Sequence, residues 1–252
     1  MNQDEPLVSV VMPAYNAGKT IVSSVRSLLA QSYLNWELVV VDDKSTDNTA
    51  ALIAELAESD RRIRPIFLSD NSGGPAFPRN AAIKASRGSY ISFLDADDEW
   101  SPVKLERQLN FMLEKGAVLS CTSYCVVDSI GTLVGRYEPP TVCSYKELLK
   151  NNSIGCLTAM YDARFLGKRY FPLCGHEDYA LWLSILREGH VVHGLQERLA
   201  NYRLVPGSVS SNKFKVMGFF WHIYRNIEGF SYLLAVFCCL QYAWNARHKY
   251  KN

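Results

Sequence analysis

The chain has 252 residues, of which 48% are hydrophobic and 21% are charged, enough to bury the core of one α/β domain. Its formal net charge of +2 provides no general basic field, and so no indication of a nucleic-acid partner. The seven cysteines, odd in number and without a Cys-x-x-Cys pair, argue against a disulfide framework or a zinc site.

Basic residues are concentrated at the C-terminus. Residues 213–252 contain six Lys or Arg and one acid, a charge of +5 that leaves −3 for the remainder. Residues 1–5 include two acids and no base, and no apolar segment precedes the first predicted strand, unlike a secretory signal. We therefore expect a cytoplasmic protein with one α/β domain and a C-terminal extension.

Strands and helices alternate over the first hundred residues. The β-branched runs that predict buried strands lie at residues 8–12, 37–41, 63–68 and 90–94. The segments with helical spacing lie at residues 20–31, 46–58 and 79–86. Ser45, Thr46 and Asp47 are candidate caps for the second helix. This alternation predicts an α/β fold with a mainly parallel sheet.

The second half of the chain is less regular. Residues 118–127 and 132–137 predict a hairpin around Gly131. Residues 144–150 and 179–187 predict two short helices. No internal repeat or low-complexity linker divides this half from the first.

Polar clusters follow directly after the predicted strands of the first half. They are Pro13-Ala-Tyr15-Asn16, Asp42-Asp43, Asp70-Asn71 and Asp95-Ala-Asp97-Asp98. Ligands of open parallel sheets bind beyond the carboxyl ends of the strands, so these clusters are expected to line one crevice. Carboxylates without a glycine-rich phosphate loop indicate a divalent cation, Mg²⁺ or Mn²⁺, that neutralises the phosphates of a ligand. Taken alone, an Asp-x-Asp sequence after a strand is more often a helix cap or a solvated turn.

Four segments along residues 8–213 carry a more specific pattern. They are Val8-Ser-Val-Val-Met-Pro13-Ala-Tyr15-Asn16, Val39-Val-Val-Asp42-Asp43-Lys44-Ser45-Thr46-Asp47, Arg79-Asn80 and Phe93-Leu-Asp95-Ala-Asp97-Asp98. Together they resemble glycosyltransferase family 2, which implies the GT-A fold, a Rossmann-like nucleotide-diphospho-sugar transferase fold, and inverting chemistry. We expect a catalytic domain at residues 1–212, with its donor half at about 1–100 and its acceptor half at about 101–212. An amphipathic helical extension would follow at residues 213–252.

The resemblance implies a site for the nucleotide base after the first two strands. Pro13, Tyr15, Asn16 and Asp43 are similar to the residues that hold the base in the family. Tyr15 would stack on the ring and Asp43 would accept a hydrogen bond from a ring nitrogen. Ordinary surface packing of Tyr15 is the alternative.

A second part of the nucleotide site is implied further along the chain. Asn71, Gly74 and Arg79 are similar to the donor-site loop of the family, where glycine lets the backbone approach the ligand. Arginine can offer a planar fork to phosphate or carboxylate. A pairing of Arg79 with Asp42 or Asp95 stays open as the alternative.

The resemblance implies a separate role for each aspartate of the Asp-x-Asp segment. Asp95 would contact the ribose, and Asp97 would ligate the Mn²⁺ or Mg²⁺ ion that bridges the diphosphate. Asp98 would support these two residues or cap a helix.

The segment His176-Glu177-Asp178-Tyr179-Ala-Leu-Trp182 is similar to the Glu-Asp motif of the family, in which the aspartate is the general base. The resemblance therefore implies that Asp178 removes the proton of the acceptor hydroxyl, with Glu177 and Trp182 beside it. Without the resemblance, acids in the first turn of a helix indicate stabilisation by the helix dipole. Both interpretations can hold together.

Two departures from the family pattern concern loops. Tyr202-Arg203-Leu-Val-Pro-Gly207-Ser208-Val-Ser210 is similar to the closing loop, but the histidine that many members carry near Val205 is missing. This puts loop closure and metal affinity in question. Lys44 stands where relatives often have glycine, which an exposed turn tolerates if its backbone does not need a positive φ.

The C-terminal extension is rich in aromatic and basic residues. Its uncharged run at residues 229–244 would form a helix of about 24 Å, short for a bilayer core. The basic residues that flank the aromatic side chains are Lys213, Lys215, Arg225, Arg247, Lys249 and Lys251. This pattern favours peripheral contact with the inner face of the plasma membrane. A helical lid packed on the core, or a dimer contact, is the alternative.

These features predict a metal-dependent, non-processive hexosyltransferase for bacterial surface polysaccharide, with a nucleotide diphosphate sugar as donor. We expect UDP-glucose or UDP-galactose as the donor and a polyprenyl-diphosphate-linked saccharide as the acceptor. A processive synthase would need several membrane spans and a Gln-x-x-Arg-Trp motif, and neither occurs in the sequence. A nucleotidyltransferase or a non-catalytic sugar-nucleotide binding protein are the alternatives. The first calls for a basic glycine-rich loop, and the second would be expected to lose Asp97 or Asp178.

Overall fold

A computed structural model describes residues 5–204 and 213–246; for residues 213–215 and 246 only the backbone is described. In its first half strands and helices alternate. They are β1 (Val8–Ala14), α1 (Ile21–Leu29), β2 (Trp36–Asp42), α2 (Thr49–Ser59), β3 (Ile63–Phe67), α3 (Ala76–Ala85) and β4 (Tyr90–Phe93). All seven elements predicted for this half are therefore confirmed.

The second half contains shorter and more varied elements. The strands are β5 (Glu99–Trp100), β6 (Leu119–Val127), β7 (Leu133–Tyr137), β8 (Val142–Cys143), β9 (Met160–Asp162) and β10 (Val192–Arg203). The helices are α4 (Lys104–Lys115), α5 (Tyr145–Leu148), α6 (Ala163–Leu166), α7 (Glu177–Arg187), α8 (Lys213–His222) and α9 (Tyr232–Ala246), with a π-helical turn at Ile223–Ile227. The hairpin predicted around Gly131 is confirmed as the antiparallel pair β6 and β7.

The described residues form one mixed sheet of ten strands. Eight of them follow the order β3-β2-β1-β4-β9-β6-β10-β5, while β7 pairs with β6 and β8 pairs with β10. The pairings among β1 to β4 are all parallel. Strand β9 is antiparallel to both β4 and β6. The α/β fold class is thus confirmed. The strands of the first half are all parallel, whereas the second half combines the parallel pair β6 and β10 with antiparallel pairs.

Alternation along the central strands divides the core between the two faces of the sheet. Val10 and Met12 of β1 pack in one hydrophobic cluster with α1 and α4. Val11 faces the other cluster, which contains side chains of α3, α7, α8 and α9. Each of these fully buried aliphatic side chains contributes about 1.5–3 kcal/mol relative to exposure. Both faces are covered, which is why β1 is an almost uninterrupted apolar run.

Three helices begin two or three residues away from the predicted start. Helix α2 begins at Thr49, three residues after the predicted start, because the Asp47 carboxylate accepts hydrogen bonds from the Thr49 amide (2.9 Å) and hydroxyl (2.5 Å) before the helix begins. Helices α3 and α7 begin earlier than predicted, at Ala76 and Glu177.

Helix α4 and strands β9 and β10 were not predicted. For α4 the sequence does contain a signal, since Leu105, Leu109 and Met112 recur at helical spacing and are all buried. The seven cysteines are free, and five of them are buried.

Helices α8 and α9 have one buried and one exposed face. Phe220, Tyr224 and Ala235 are fully buried in the cluster that also contains α7. The opposite face of α9 exposes a row of apolar side chains, here called the apolar stripe. It consists of Leu233, Val236, Phe237, Leu240 and Trp244. No helix in the described ranges is both long and apolar enough to cross a bilayer. The division of the chain at residue 212 stays a prediction.

Candidate active site

The loops after β1 and β2 are tied together at the carboxyl edge of the sheet. The Asn16 amide donates to Ser45 Oγ (2.9 Å), and Asn16 Oδ1 accepts from the Thr46 amide (2.8 Å). Asn16 has a φ of 49°, in the left-handed region that asparagine tolerates. Next to it Tyr15 is 52% exposed, and Pro13 lies within β1 opposite Val41. The exposed Tyr15 ring is open to stacking.

Asp43 and Asn71 are brought together, as the prediction of a shared nucleotide site requires. The Asp43 carboxylate accepts hydrogen bonds from the Ser72 amide (2.9 Å), the Ser72 hydroxyl (2.8 Å) and Asn71 Nδ2 (3.2 Å). This buried carboxylate therefore holds the loop after β3. In that loop Gly73 has the positive φ of 78°, whereas a β-carbon at Gly74 would meet open space.

Lysine was expected to be tolerated at position 44 if the backbone there did not need a positive φ, and this condition is not met. The φ of Lys44 is 56°, so this turn does need a left-handed residue. The side chain forms an exposed 3.2 Å ion pair with Asp70, which is a weak compensation for a backbone that glycine would adopt more easily.

Arg79 connects Asp95 with Glu177, the residue directly before the predicted general base Asp178. The buried guanidinium donates through Nη2 to Asp95 Oδ1 at 2.6 Å and through Nη1 to Glu177 Oε1 at 2.5 Å. Although burial opposes the charge, the carboxylates of Asp95 and Glu177 raise the pKa of Arg79 well above its ordinary value. Of the alternatives open for Arg79, the pairing with Asp95 is observed.

Asp97 and Asp98 lie in a segment that Arg203 anchors. The Arg203 amide donates to Asp98 Oδ1 (2.8 Å), its Nε donates to the Asp97 carbonyl (3.1 Å), and its Nη2 pairs with Glu99 (2.8 Å). Burial, together with the charge of Asp95, raises the pKa of Asp97 to about 6. Burial and the charges of both neighbouring aspartates raise the pKa of Asp98 well above its ordinary range. Asp95, Asp97 and Asp98 thus form a compact acidic segment.

Glu177 and Asp178 occupy the first turn of α7, where the helix dipole favours negative charge. Burial and the charge of Asp178 raise the pKa of Glu177, and Arg79 opposes this shift. Within residues 5–204 and 213–246, no side chain is hydrogen-bonded to the partly exposed Asp178 carboxylate. Trp182, one turn later, is fully buried against Phe93, so it lies beneath the site.

Hydrogen bonds therefore connect some, but not all, of the residues predicted for the site. Hydrogen bonds connect Asn71 to Asp43, and Arg79 connects Asp95 to Glu177. The predicted closing loop, residues 205–210, lies outside the described residues. In the part of the chain that is described, no cluster of three or more His, Cys, Asp or Glu side chains could hold a metal ion by itself.

Residues 9–170, more than half of the chain, match the profile of Glycosyl transferase family 2. The chain belongs to glycosyltransferase family 2. This family 2 chain is therefore a glycosyltransferase, as its sequence motifs predicted.

Two curated relatives are similar over nearly their whole length. TuaG of Bacillus subtilis, named for teichuronic acid biosynthesis, is 42% identical over 99% of this chain and 99% of that protein. WfgD of Escherichia coli is 41% identical over 87% of this chain and 86% of that protein. Its name is UDP-Glc:alpha-D-GlcNAc-diphosphoundecaprenol beta-1,3-glucosyltransferase. Neither the nucleotidyltransferase nor the non-catalytic alternative receives support from these relatives.

Solved structures show the same GT-A fold. The Staphylococcus aureus TarS fragment in complex with UDP-GlcNAc has a TM-score of 0.71 at 25% identity, covering 87% of this chain and 66% of that fragment. The mannosyltransferase PcManGT of Pyrobaculum calidifontis, in complex with GDP-Man and Mn²⁺, has a TM-score of 0.67 at 17% identity, covering 91% of this chain and 66% of the other. The family 2 chain thus has the fold that its motifs implied.

One buried charged residue, in contact with β4 and β5, was not singled out from the sequence. Lys104 of α4 is fully buried, with its Nζ 2.5 Å from Ser92 Oγ and 3.7 Å from the centre of the Trp100 ring. Burial lowers the pKa of this lysine well below its ordinary value. Lys104 shares one helix face with Gln108, four residues later, and both side chains are fully buried.

Proposed function

We propose that this chain transfers a hexose from a UDP-sugar to a hydroxyl of a lipid-linked saccharide, during synthesis of a bacterial surface polysaccharide. The observation that carries the proposal is the Arg79 guanidinium, which joins Asp95 of the donor segment to Glu177 beside Asp178. The substrates in the name of WfgD, and the UDP-GlcNAc bound to TarS, support these donor and acceptor classes.

In the proposed reaction, Asp178 accepts the proton of the acceptor hydroxyl while the acceptor oxygen attacks the anomeric carbon. The bond between that carbon and the diphosphate oxygen breaks, and the nucleoside diphosphate leaves with the electron pair. One displacement inverts the configuration and requires no covalent sugar intermediate. Asp178 suits this role because its carboxylate is partly exposed and has no hydrogen-bonding side chain within the described ranges.

The donor side would use the residues around the first two strand ends. Tyr15 would stack on the base, and the loop of Pro13 and Asn16 would position that ring. Asp43, which already orders the loop of Asn71 and Gly74, would shape the pocket around the base. The Asp43 carboxylate accepts hydrogen bonds from Asn71 and Ser72 of this loop, so replacing Asp43 would disturb the nucleotide site by releasing the loop.

Asp97 fits a divalent cation. Its carboxylate is half-buried without a hydrogen-bonding side chain in the described ranges, and its pKa is raised by burial and by Asp95, so a nearby cation would stabilise the ionised form. Mg²⁺ and Mn²⁺ often take one or two protein carboxylates together with phosphate oxygens and water. Asp97 would hold such an ion against the donor diphosphate, where its charge would stabilise the leaving group.

The proposed location is the inner face of the plasma membrane. The apolar stripe of α9 presents large side chains to solvent, with Leu233 85% exposed and Phe237 59% exposed. A helix with such a face binds the boundary between headgroups and acyl chains, and basic residues add attraction to anionic lipid. Five of the six basic residues counted in this extension lie outside the residues whose side chains are described.

A donor screen tests the proposal directly. Purified protein is incubated with UDP-, GDP- and dTDP-sugars and a GlcNAc-diphosphate lipid, with Mn²⁺, Mg²⁺ or a chelator. We expect transfer from UDP-glucose or UDP-galactose ahead of their N-acetyl forms, inversion at the anomeric carbon by NMR, and loss of transfer with chelator. Absence of transfer from every donor, or retention of configuration, would contradict the proposal.

Two variants assign the roles. Asp97→Ala is expected to abolish Mn²⁺-dependent UDP binding in calorimetry, whereas Asp178→Asn is expected to keep that binding and to lower turnover by about 100-fold or more. Glu58→Gln, an exposed carboxylate of α2, is the control. Turnover of Asp178→Asn within about tenfold of the parent would identify another residue as the base.

A further inference from the structure

Helices α8 and α9 form an open apolar groove of about 440 Å³. It is lined by Met217, Gly218, Trp221, Val236, Cys239, Leu240 and Ala243. Val236 and Leu240 also belong to the apolar stripe, so the groove opens onto the surface proposed to meet the membrane. It is therefore continuous with that surface.

Gly218 lies in the middle of α8 and is exposed at the groove. Glycine in a helix interior lowers helix stability relative to alanine. A β-carbon at Gly218 would meet no atom within 4 Å in the described structure, so packing of the chain does not require glycine there. Gly175 is different, because a β-carbon there would overlap the Phe219 ring. As far as the described residues go, the space above Gly218 is open to a ligand.

The other side of α8 lies against residues 176–178, the segment that contains the predicted general base Asp178. The rings of Phe219 and Phe220 pack on His176 with centroid distances of 5.8 and 5.0 Å. His176 directly precedes Glu177 and Asp178 in the chain. A molecule in the groove would therefore be separated from the base segment by the width of one helix.

We propose that this groove binds the hydrocarbon chain of the acceptor, a long isoprenoid, and so holds the attached saccharide near Asp178. The proposal rests on the proposed function, because it assumes a lipid-linked acceptor. The groove residues supply apolar side chains and no charge, which suits a hydrocarbon, whereas a docked peptide would also bring polar backbone groups. Continuity with the apolar stripe lets the chain enter from a bilayer without crossing water.

The test fills the groove without disturbing the fold. Gly218→Leu places an apolar side chain in the open space, and Gly218→Ala is the matched control that changes helix propensity alone. Both are assayed with two acceptors that share one sugar diphosphate, one on undecaprenol and one on a short water-soluble alkyl group. For Gly218→Leu we expect KM for the undecaprenyl acceptor to rise by about tenfold or more, with KM for the short acceptor and kcat within about twofold of the parent.

A binding measurement provides a second readout that does not depend on turnover. A nitroxide-labelled polyprenyl phosphate is expected to quench the fluorescence of Trp221, and Trp221→Phe or Gly218→Leu is expected to remove that part of the quenching. Gly218→Leu should still float with anionic vesicles, since the exposed residues Leu233 and Phe237 of the stripe are unchanged.

Several outcomes would overturn the groove proposal. One is an unchanged KM in Gly218→Leu, and another is an equal rise for both acceptors. A third is conversion of a parent dimer to a monomer by Gly218→Leu, which would identify the occupant as a second copy of the chain. If the parent transfers sugar to neither acceptor, the proposed function fails instead, while quenching of Trp221 still decides whether the groove binds the isoprenoid.

Discussion

Arg79 Nη1 lies 2.5 Å from Glu177 Oε1, a contact between two buried residues that are 98 positions apart in the chain. The same guanidinium pairs with Asp95, so one side chain neutralises carboxylates from both halves of the site. Because the fork of arginine is rigid, the distance between the donor segment and the first turn of α7 is set largely by this residue.

Replacing Arg79 with methionine is expected to lower the free energy of unfolding by about 3–5 kcal/mol, because the buried Glu177 carboxylate and the partly buried Asp95 carboxylate lose their cation. Arg107→Met is the control, since Arg107 forms an equally short pair with Glu197 on the surface, where screening by solvent makes the expected loss small. Urea unfolding of both variants measures the difference. Similar losses in the two variants would show that the Arg79 pairs contribute no more than a surface ion pair.

Lys104 is expected to make stability depend on pH. Burial holds its folded pKa below the ordinary value of 10.5, so between the two values the unfolded chain binds one more proton than the folded chain. Stability from this group therefore rises with pH in that window, by at most about 1.4 kcal/mol per pH unit. We expect Lys104→Met to be more stable than the parent at pH 7, with the gap shrinking toward pH 10. A difference in free energy of unfolding between the two proteins that stays constant from pH 7 to pH 10 would contradict the prediction.

The left-handed backbone at Lys44 predicts that glycine is more stable than alanine at this position. Lys44→Gly and Lys44→Ala both lose the exposed pair with Asp70, and only the first relieves the φ of 56°. We expect the glycine variant to exceed the alanine variant by about 1 kcal/mol in free energy of unfolding. Equal stabilities would mean that the turn relaxes to a negative φ when the side chain is shortened.

Removal of the C-terminal helices would be a poor test of membrane contact, because Phe220 and Tyr224 are part of the core. The double variant Leu233→Gln and Phe237→Gln changes only exposed positions. We expect it to lose flotation with anionic vesicles while its UDP-sugar hydrolysis stays within about twofold of the parent. Binding of the parent should also weaken with added salt, because surface charges are screened. Flotation unchanged by the double variant would assign membrane contact to another surface.

Local sequence determined much of the donor half. Strands β1 and β2 are buried on both faces, so continuous β-branched runs revealed them, and the polar residues after each run marked the carboxyl edge of the sheet. Strand β9 could not be read in this way. It has only three residues and is specified by pairing with β4 and β6, which are distant in sequence.

The sequence by itself determined the acidic segments that contain Asp95, Asp97 and Asp178, the residues predicted for the candidate site. Only the tertiary structure decided that Arg79 serves Asp95 and Glu177 together, since a fork of two short hydrogen bonds depends on the relative placement of α3, β4 and α7. It also decided which face of α9 is buried, because an evenly apolar helix has no polar side to orient it. Packing against α8 and α7 selects that face and leaves the apolar stripe outside.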